Sequence, residues 1–260
     1  MSPNDDHPKI DAVILAAGKG TRMQSDLPKV MHEVADRPMV HWVVDACRAA
    51  GAGRIIVVVG HRAELVRESL GGEPDVEFVT QSEQLGTGHA VDQAREALAS
   101  SPDNDLLVLC GDGPLIRSET LELLLDRHRS TGAAATLATA VIDDPTGYGR
   151  IVRDEQGDFA RIVEQKDASE AELEIREVNP SYYCFRCGPL FDRLSRTTNE
   201  NANGEYYVTD VFGLSRSDGD RVAVVDAVPP EDILSINTPD QLAEVDRILR
   251  GRLADLEDKG

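Results

Sequence analysis

The stretch Val13-Ile-Leu-Ala-Ala-Gly18-Lys-Gly20-Thr-Arg22-Met23-Gln-Ser-Asp-Leu-Pro28-Lys29-Val-Met31 sets the reading of the whole chain. A short apolar run breaks into glycines, then presents Arg22 and, seven residues on, Lys29 behind a proline. The run reads as a buried strand and the glycines as the turn at its C-terminal edge. That is the edge at which an open α/β sheet binds its ligands. Glycine lets backbone N–H groups approach an anion closely, and two cations suit a polyphosphate. An ordinary strand-to-helix turn with two solvated basic residues has the same local appearance, so the stretch does not decide alone.

Working outward, apolar runs and helical periodicities alternate. A helix begins around Pro38 and carries Met39, Val40, Val43, Val44 and Cys47 as far as Gly51. Arg54 to Val59 reads as a strand buried on both faces, 62–70 as a helix, Val76 to Val79 as a strand and Ala90 to Leu98 as one amphipathic helix. Leu106 to Cys110 is another apolar strand, followed directly by Gly111-Asp112-Gly113-Pro114, and Ser118 is placed to cap the next helix. Strands alternating with helices imply right-handed crossovers and a parallel sheet, with every glycine-rich turn on one edge.

From 133 the texture changes. Ala133 to Ile142 is a β-prone run, and Ile151 to Arg153, Phe159 to Val163, Val178 to Cys187 and Val222 to Asp226 read as further strands, antiparallel or mixed. Segments 188–196 and 207–215 read as helices, and Thr238-Pro239 caps and starts a last one. The expected fold class is α/β: a Rossmann-like, mostly parallel sheet flanked by helices, with a smaller β-rich lobe. The 260 residues are expected to form a single domain, divided into about 10–132, about 133–237 and a C-terminal helix over 238–260.

The balance of 47 acidic against 27 basic residues, a net charge of −20, repels nucleic acid and anionic membrane, and no basic stripe offsets it. Met-Ser-Pro-Asn-Asp-Asp lacks the regions of a signal peptide, and no apolar stretch approaches the roughly 20 residues of a membrane span. Cys47, Cys110, Cys184 and Cys187 are too few and scattered for a disulfide framework. A cytoplasmic protein with small-molecule partners, and neither nucleic acid nor membrane among them, is expected. Cys184-Phe-Arg-Cys187 has no second ligand pair to complete a zinc site, and reads as strand with no helix N-terminus to activate a thiol.

Asp112, held between glycines at the end of the fourth strand, is placed to bind Mg²⁺, which takes few protein ligands and binds through phosphates. Asp-Gly-Pro is equally good turn chemistry. At this point six blocks fall in order from residue 11 to about 240: the opening Leu-Ala-Ala-Gly-x-Gly-Thr-Arg-Met with Leu-Pro-Lys, Gln81-x-x-Gln84-Leu-Gly-Thr-Gly-His-Ala90, Gly111-Asp-x-Pro-Leu115, Asp143-Asp-Pro-Thr-Gly-Tyr-Gly-Arg150, Ile162-Val-Glu-x-Lys-Asp-Ala168 and Gly204-Glu-Tyr-Tyr-x-Thr-Asp210. Together they resemble the nucleotide-diphosphate-sugar pyrophosphorylases. They are most similar to the uridylyltransferase domains of bifunctional UDP-N-acetylglucosamine pyrophosphorylase / glucosamine-1-phosphate acetyltransferases.

The resemblance implies a nucleotidyltransferase that moves UMP from UTP to N-acetylglucosamine 1-phosphate, releasing pyrophosphate, with Mg²⁺ as cofactor and a cell-wall precursor as product. It makes the first half nucleotide-binding and the second sugar-binding. It assigns Leu15, Ala16, Ala17 and Gly18, with Gln81, Gly86 and Thr87, to the uridine; a Gln offers acceptor and donor together, which suits a uracil edge. Arg22 and Lys29 take the phosphates, Asp112 and Asn237 take Mg²⁺, and Gly111 belongs to the substrate-binding turn. Gly149, Glu164 and Asn179 position the sugar, with Tyr148 and Lys166 nearby. Bringing two polyanions together is the barrier in such a reaction, so cations matter more than a nucleophilic side chain. No Ser-His-Asp or Cys-His set stands out, and His89 reads as a helix-start residue.

The chain departs from the pattern at Pro180-Ser181, where the family has Thr-Gly, and at Cys110, where relatives often carry tyrosine. The hexapeptide-repeat acetyltransferase part of the bifunctional relatives is not in these residues, so no acetyl transfer is expected and oligomeric state is left open. The same chemistry on another sugar 1-phosphate or nucleoside triphosphate remains an alternative. So does a sugar-nucleotide sensor, which would be expected to have lost Arg22, Lys29, Asp112 or Asn237.

Overall fold

The computed structural model describes residues 8–23, 25–226 and 228–258, and of Thr21 the backbone only. The opening apolar run is β1 (Ile10–Ala16). Beyond the glycine-rich turn come a short hairpin of β2 (Glu33–Val34) and β3 (Arg37–Pro38), then α1 (Met39–Ala49), β4 (Arg54–Val59), α2 (Ala63–Leu70) and β5 (Val76–Thr80). They are followed by α3 (Thr87–Asp92), α4 (Arg95–Leu98), β6 (Asp105–Cys110) and α5 (Ser118–Thr131). The second half contains β7 (Ala135–Ala138), β8 (Ala140–Val141), β9 (Gly149–Arg153), β10 (Phe159–Val163), α6 (Glu170–Leu173), β11 (Glu177–Asn179) and β12 (Tyr182–Arg186). It closes with α7 (Cys187–Leu194), α8 (Asp210–Ser217), β13 (Val222–Val225) and α9 (Pro239–Glu257).

Seven strands pair in the order β13-β7-β12-β6-β1-β4-β5, parallel throughout except for β12, which runs against both neighbours. A mostly parallel sheet flanked by helices is the architecture the sequence implies. Successive strand residues face opposite sides, so Ile14, Val57 and Leu107 join one core with α1, α2, α5 and α9. Val13, Val58 and Val108 join the other with α3, α4, α7 and α8. The register aligns the strand ends: Ala16 pairs with Val59, Val59 with Thr80, and Leu15 with Cys110. The turns after β1, β4, β5 and β6 therefore leave the sheet side by side. Strand order reverses at β1, which has β4 on one side and β6 on the other, and this switch point is where the glycine-rich turn lies.

The second sheet is antiparallel, in the order β10-β9-β11-β8. Its strands are not a separate stretch of chain. The run Ala133 to Ile142 divides at Thr139 into β7 of the large sheet and β8 of the small one, and Val178 to Cys187 divides into β11 and β12. The second division has a local cause. Pro180 offers no N–H to a ladder, and Ser181 turns into left-handed backbone (φ +65°), its N–H donating to Asn179 Oδ1 at 3.1 Å.

Three local expectations change. The helix expected over Ala90 to Leu98 starts earlier, at Thr87, and breaks, because Gln93 and Ala94 bond three residues back to Ala90 and Val91. Ser118 is the first helical residue of α5 and caps nothing; Arg117 is the N-cap, without a side-chain hydrogen bond. Cys187 does begin a helix, α7, but burial pushes its thiol up to about 11, so the helix end activates nothing. Thr238 caps α9 as expected, its hydroxyl accepting from Gln241 N–H at 3.3 Å. Among the described residues no helix is long and apolar enough to cross a membrane.

Candidate active site

At the β1/β6 switch point Gly111 N–H donates to Leu15 O at 2.9 Å, tying the turn after β6 to the end of β1. Around this junction lies a pocket of about 260 Å³ lined by Leu15, Ala16, Ala17, Gly18, Lys29, Gln81, Gly86, Thr87 and Asp112, together with Val30, Gln84, Ala90, Cys110 and Glu205. All seven residues expected to meet the nucleoside are here. A larger hollow of about 1150 Å³ runs between α5 and β13 to the start of β6. It holds none of the motif residues, which gather instead around the smaller pocket.

The pocket wall is built by close backbone contact. Gly86 has φ +111°, and a Cβ there would lie 2.5 Å from Tyr206 O. Gly88 N–H donates to Tyr206 O, Tyr206 N–H to Leu85 O, and Val208 N–H to the Thr87 hydroxyl at 3.1 Å. Gln81 is buried, its amide nitrogen bonded to Gly86 O at 3.1 Å and next to His89 Nδ1 at 3.0 Å. His89 thus braces the Gln81 side chain.

At the pocket mouth four side chains converge. Lys29 Nζ donates to Asp112 Oδ2 and, at 2.6 Å, to Asn237 Oδ1; Arg22 Nη2 donates to the same Asn237 oxygen at 2.7 Å. Gly20 allows this. Its φ is +62°, and a Cβ there would stand 2.7 Å from Lys29 Cβ, so only a glycine lets the turn wrap the lysine. Asn237 arrives at the start of α9, with its N–H on Gln241 Oε1 at 2.8 Å and its side-chain Nδ2 on Ser235 Oγ at 3.2 Å, which turns Oδ1 towards the cations. The four residues come from three widely separated stretches of the sequence and form one polar, largely charged cluster. Asp112 and Lys29 side chains are 19% and 15% exposed, open enough for a ligand.

A second pocket of about 190 Å³ adjoins the first, sharing Leu15, Thr87, Cys110 and Glu205, and adds Glu164, Ser181, Tyr183, Asn203, Tyr207 and Thr209. Gly149 pairs with Asn179 across β9 and β11, and a Cβ on Gly149 would lie 3.4 Å from Glu164 Oε2, so these three share one end of the small sheet. Burial holds the Glu164 carboxyl above the usual range, with Asp167, Asp210 and Glu205 adding to it, while the Thr209 hydroxyl, donating at 3.2 Å, opposes. Asn179 is buried. Its Nδ2 donates to Tyr183 OH at 2.7 Å and its Oδ1 accepts from Ser181, leaving one donor and one acceptor direction unused.

Two expected sugar-side residues stand apart. Lys166 is exposed and bonded to Asn203 Oδ1 at 2.7 Å, reaching the pocket only through that partner. Tyr148 donates to Ile233 O at 3.1 Å and supports the segment leading to Asn237. Sequence reading assigned no role to Glu205, although it lines both pockets. Its signal was present, since it stands in the block Gly204-Glu-Tyr-Tyr-x-Thr-Asp210. Cys110, also between the pockets, has its thiol pushed up to about 12, by burial and then by Asp112, and is no nucleophile.

Residues 12–199 match the MobA-like NTP transferase domain. The chain is 48% identical over 244 residues to the bifunctional protein GlmU of Pelobacter propionicus, covering 94% of this chain and 53% of that protein. It is 49% identical over 242 residues to the bifunctional protein GlmU of Geobacter metallireducens and 50% over 242 to that of Geobacillus thermodenitrificans, covering 93% of this chain and 51% and 52% of theirs. The chain therefore spans about half the length of these curated relatives. A solved structure of UDP-glucose pyrophosphorylase complexed with UDP-glucose superposes with TM-score 0.77 over 94% of this chain and 99% of that one; at 17% identity this is a likeness of fold.

Proposed function

The chain belongs to the MobA-like NTP transferase family, and from that premise we propose that it transfers UMP from UTP to N-acetylglucosamine 1-phosphate, releasing pyrophosphate. The observation that carries this reading is the convergence of Arg22, Lys29, Asp112 and Asn237 at the mouth of a pocket walled by Leu15 to Gly18, Gln81, Gly86 and Thr87. The identity of about half the residues with proteins named as bifunctional GlmU supports the choice of substrates.

The nucleoside enters between the glycine-rich turn and Gln81, whose amide nitrogen is held by Gly86 and His89 and whose side-chain oxygen is left to accept from the uracil edge. The triphosphate then lies across the mouth, where Arg22 and Lys29 offset its charge. N-Acetylglucosamine 1-phosphate occupies the adjoining pocket against Glu164, with Gly149 and Asn179 behind that side chain, Lys166 reaching the pocket through Asn203 and Tyr148 bracing the segment that leads to Asn237. One of its phosphate oxygens attacks the α-phosphorus of UTP in line, and the bond to the pyrophosphate oxygen breaks. No side chain becomes covalently attached. The chain contributes alignment and charge, which are the main terms in phosphoryl-type transfers.

The family resemblance implies Mg²⁺, and the residues fit it. Asp112 Oδ2 and Asn237 Oδ1 already converge on a single cationic point, the Lys29 ammonium, and both are hard oxygen donors. Among the described residues no group of three or more His, Cys, Asp or Glu is placed to hold a metal, so the rest of the shell falls to phosphates and water. Bound there, Mg²⁺ supplies charge neutralisation between the two phosphates.

Pyrophosphate release, followed with UTP, N-acetylglucosamine 1-phosphate and Mg²⁺, tests the proposal against glucose 1-phosphate and the other nucleoside triphosphates. The expected preference for the named pair is about 100-fold or more in kcat/KM, the discrimination that buried polar groups give when a substrate group is missing. Equal turnover of glucose 1-phosphate would move the substrate assignment, and no turnover of any pair would end the proposal.

A further inference from the structure

Asp232 is wholly buried, yet it belongs to neither pocket. Its Oδ1 accepts from Arg117 Nη2 at 3.0 Å and from Arg252 Nη2 at 2.6 Å, and its Oδ2 lies 2.9 Å from Arg117 Nε without hydrogen-bond alignment. Glu231 joins the same two guanidinium groups at 2.9 and 3.1 Å. Burial raises the Asp232 carboxyl while Arg252 and Arg117 oppose it. A buried carboxylate held by partly exposed arginines is weak evidence of stabilisation, because well-packed apolar side chains do as well.

What the cluster holds in place is more specific. Arg252, from the C-terminal third of α9, also donates through Nη1 to Leu115 O at 3.0 Å, three residues beyond Asp112. One guanidinium therefore clamps the turn that carries Asp112 to the segment that leads to Asn237. The clamp continues along the main chain: Tyr182 OH donates to Asp232 O at 2.8 Å, Tyr148 OH to Ile233 O at 3.1 Å, and Ile236 N–H to Asp112 O at 3.1 Å. Every link runs between the two segments that bear the oxygens at the pocket mouth, or anchors one of them to β12 or to the turn before β9.

We propose that Asp232, with Arg252 and Arg117, is a positioning residue that sets the separation of Asp112 and Asn237 and so the affinity of that pair for a divalent cation. This rests on the reading that Asp112 and Asn237 hold the metal. Groups that orient metal ligands without touching the metal change affinity about 10- to 100-fold when removed.

The test is Mn²⁺ binding by electron paramagnetic resonance on the full chain with UTP present, for Asp232→Asn, Arg252→Gln and Asp112→Ala, with UTP affinity in the absence of metal and Tm measured alongside. The first two variants are expected to weaken Mn²⁺ about tenfold while metal-free UTP affinity stays within about twofold. A lowered Tm with an unchanged Mn²⁺ dissociation constant would make the cluster structural only and overturn the proposal. Unchanged Mn²⁺ binding in Asp112→Ala would instead bring down the metal-site reading beneath it. Should Asp232→Asn fail to fold, Arg252→Gln decides, since that side chain is partly exposed and its loss leaves Arg117 on the carboxylate.

Discussion

Lys29 Nζ stands 2.6 Å from Asn237 Oδ1 and also donates to Asp112 Oδ2, so one ammonium bridges two oxygens that come from widely separated parts of the chain. Replacing Lys29 with Met removes a cation from the phosphates and uncovers both oxygens. The expected result is a kcat lowered about 10²- to 10³-fold, as when one electrostatic contact to a transition state is lost. Mn²⁺ titration without nucleotide should show tighter binding in the variant than in the native chain, because the competing ammonium is gone. Lys29→Arg is not expected to restore turnover, since a planar fork does not replace a compact point charge.

Glu164 carries a second prediction. Its raised carboxyl, caused first by burial, means that the folded protein holds this proton to higher pH than the unfolded chain does. Ionising Glu164 therefore costs stability as pH rises through the folded value. Glu164→Gln should raise Tm at pH 7.5, because the variant has no carboxyl to ionise in that buried place. The gain should vanish towards pH 4, where the native side chain is itself protonated. In the same variant KM for the sugar phosphate should rise about tenfold or more, for loss of a charge-assisted hydrogen bond. Calorimetry across pH and steady-state kinetics check both halves.

His128 gives the opposite sign. It is buried, with Nδ1 2.8 Å from the Thr136 hydroxyl and Nε2 unpartnered 3.6 Å from Asp105 Oδ1, and burial pushes its pKa down from 6.5 to about 4. The unfolded chain then binds this proton first, so stability is full above pH 6.5 and falls as pH drops towards 4. The loss from this one residue is on the order of 3 kcal/mol. Urea titrations at pH 7 and pH 4.5 should show a smaller pH effect in His128→Gln than in the native chain; an equal effect would remove His128 as the cause.

Gly86→Ala tests the pocket wall. A Cβ at φ +111° would stand 2.5 Å from Tyr206 O, a main-chain atom that cannot swing aside. The variant should lose about 1–3 kcal/mol from backbone strain. It should also raise KM for UTP about tenfold, because the strained segment lies between Gln81 and Thr87 and moves with them. Denaturation by urea and nucleotide-dependent kinetics measure the two effects separately.

Much of the site was legible in local chemistry. Val13 to Arg22 reads as strand and turn from hydrophobicity and glycine alone, and Asp112 is marked by its place directly after an apolar strand. That these residues meet follows from parallel register, which brings Leu15 opposite Cys110. The partition of the strands between two sheets was not legible, because each run at 133–142 and 178–187 is continuous in β propensity and only long-range pairing divides it. The Asp232 cluster was hidden for a related reason. Its members are 20 and 115 residues apart in sequence, and each alone looks like a surface charge. Cys187 shows the converse: its helix start was missed, but burial left the conclusion about its thiol intact.

The two crossings between sheets bear on how such enzymes could be recombined. β7, β12 and β13 lie in the large sheet, so cutting the chain near residue 132 would strip β6 of its neighbour and leave a raw parallel edge. The transplantable cassette is shorter: the span from Thr139 to Ser181 contains all four strands of the small sheet, enters from β7 and returns into β12. Those two strands lie side by side in the sheet, paired from Ala135 with Phe185 to Leu137 with Tyr183. A graft exchanging that span between relatives carries Gly149, Glu164 and Asn179, the proposed acceptor-sugar residues, in one piece. It leaves the donor side, from Arg22 to Asp112, on its original scaffold.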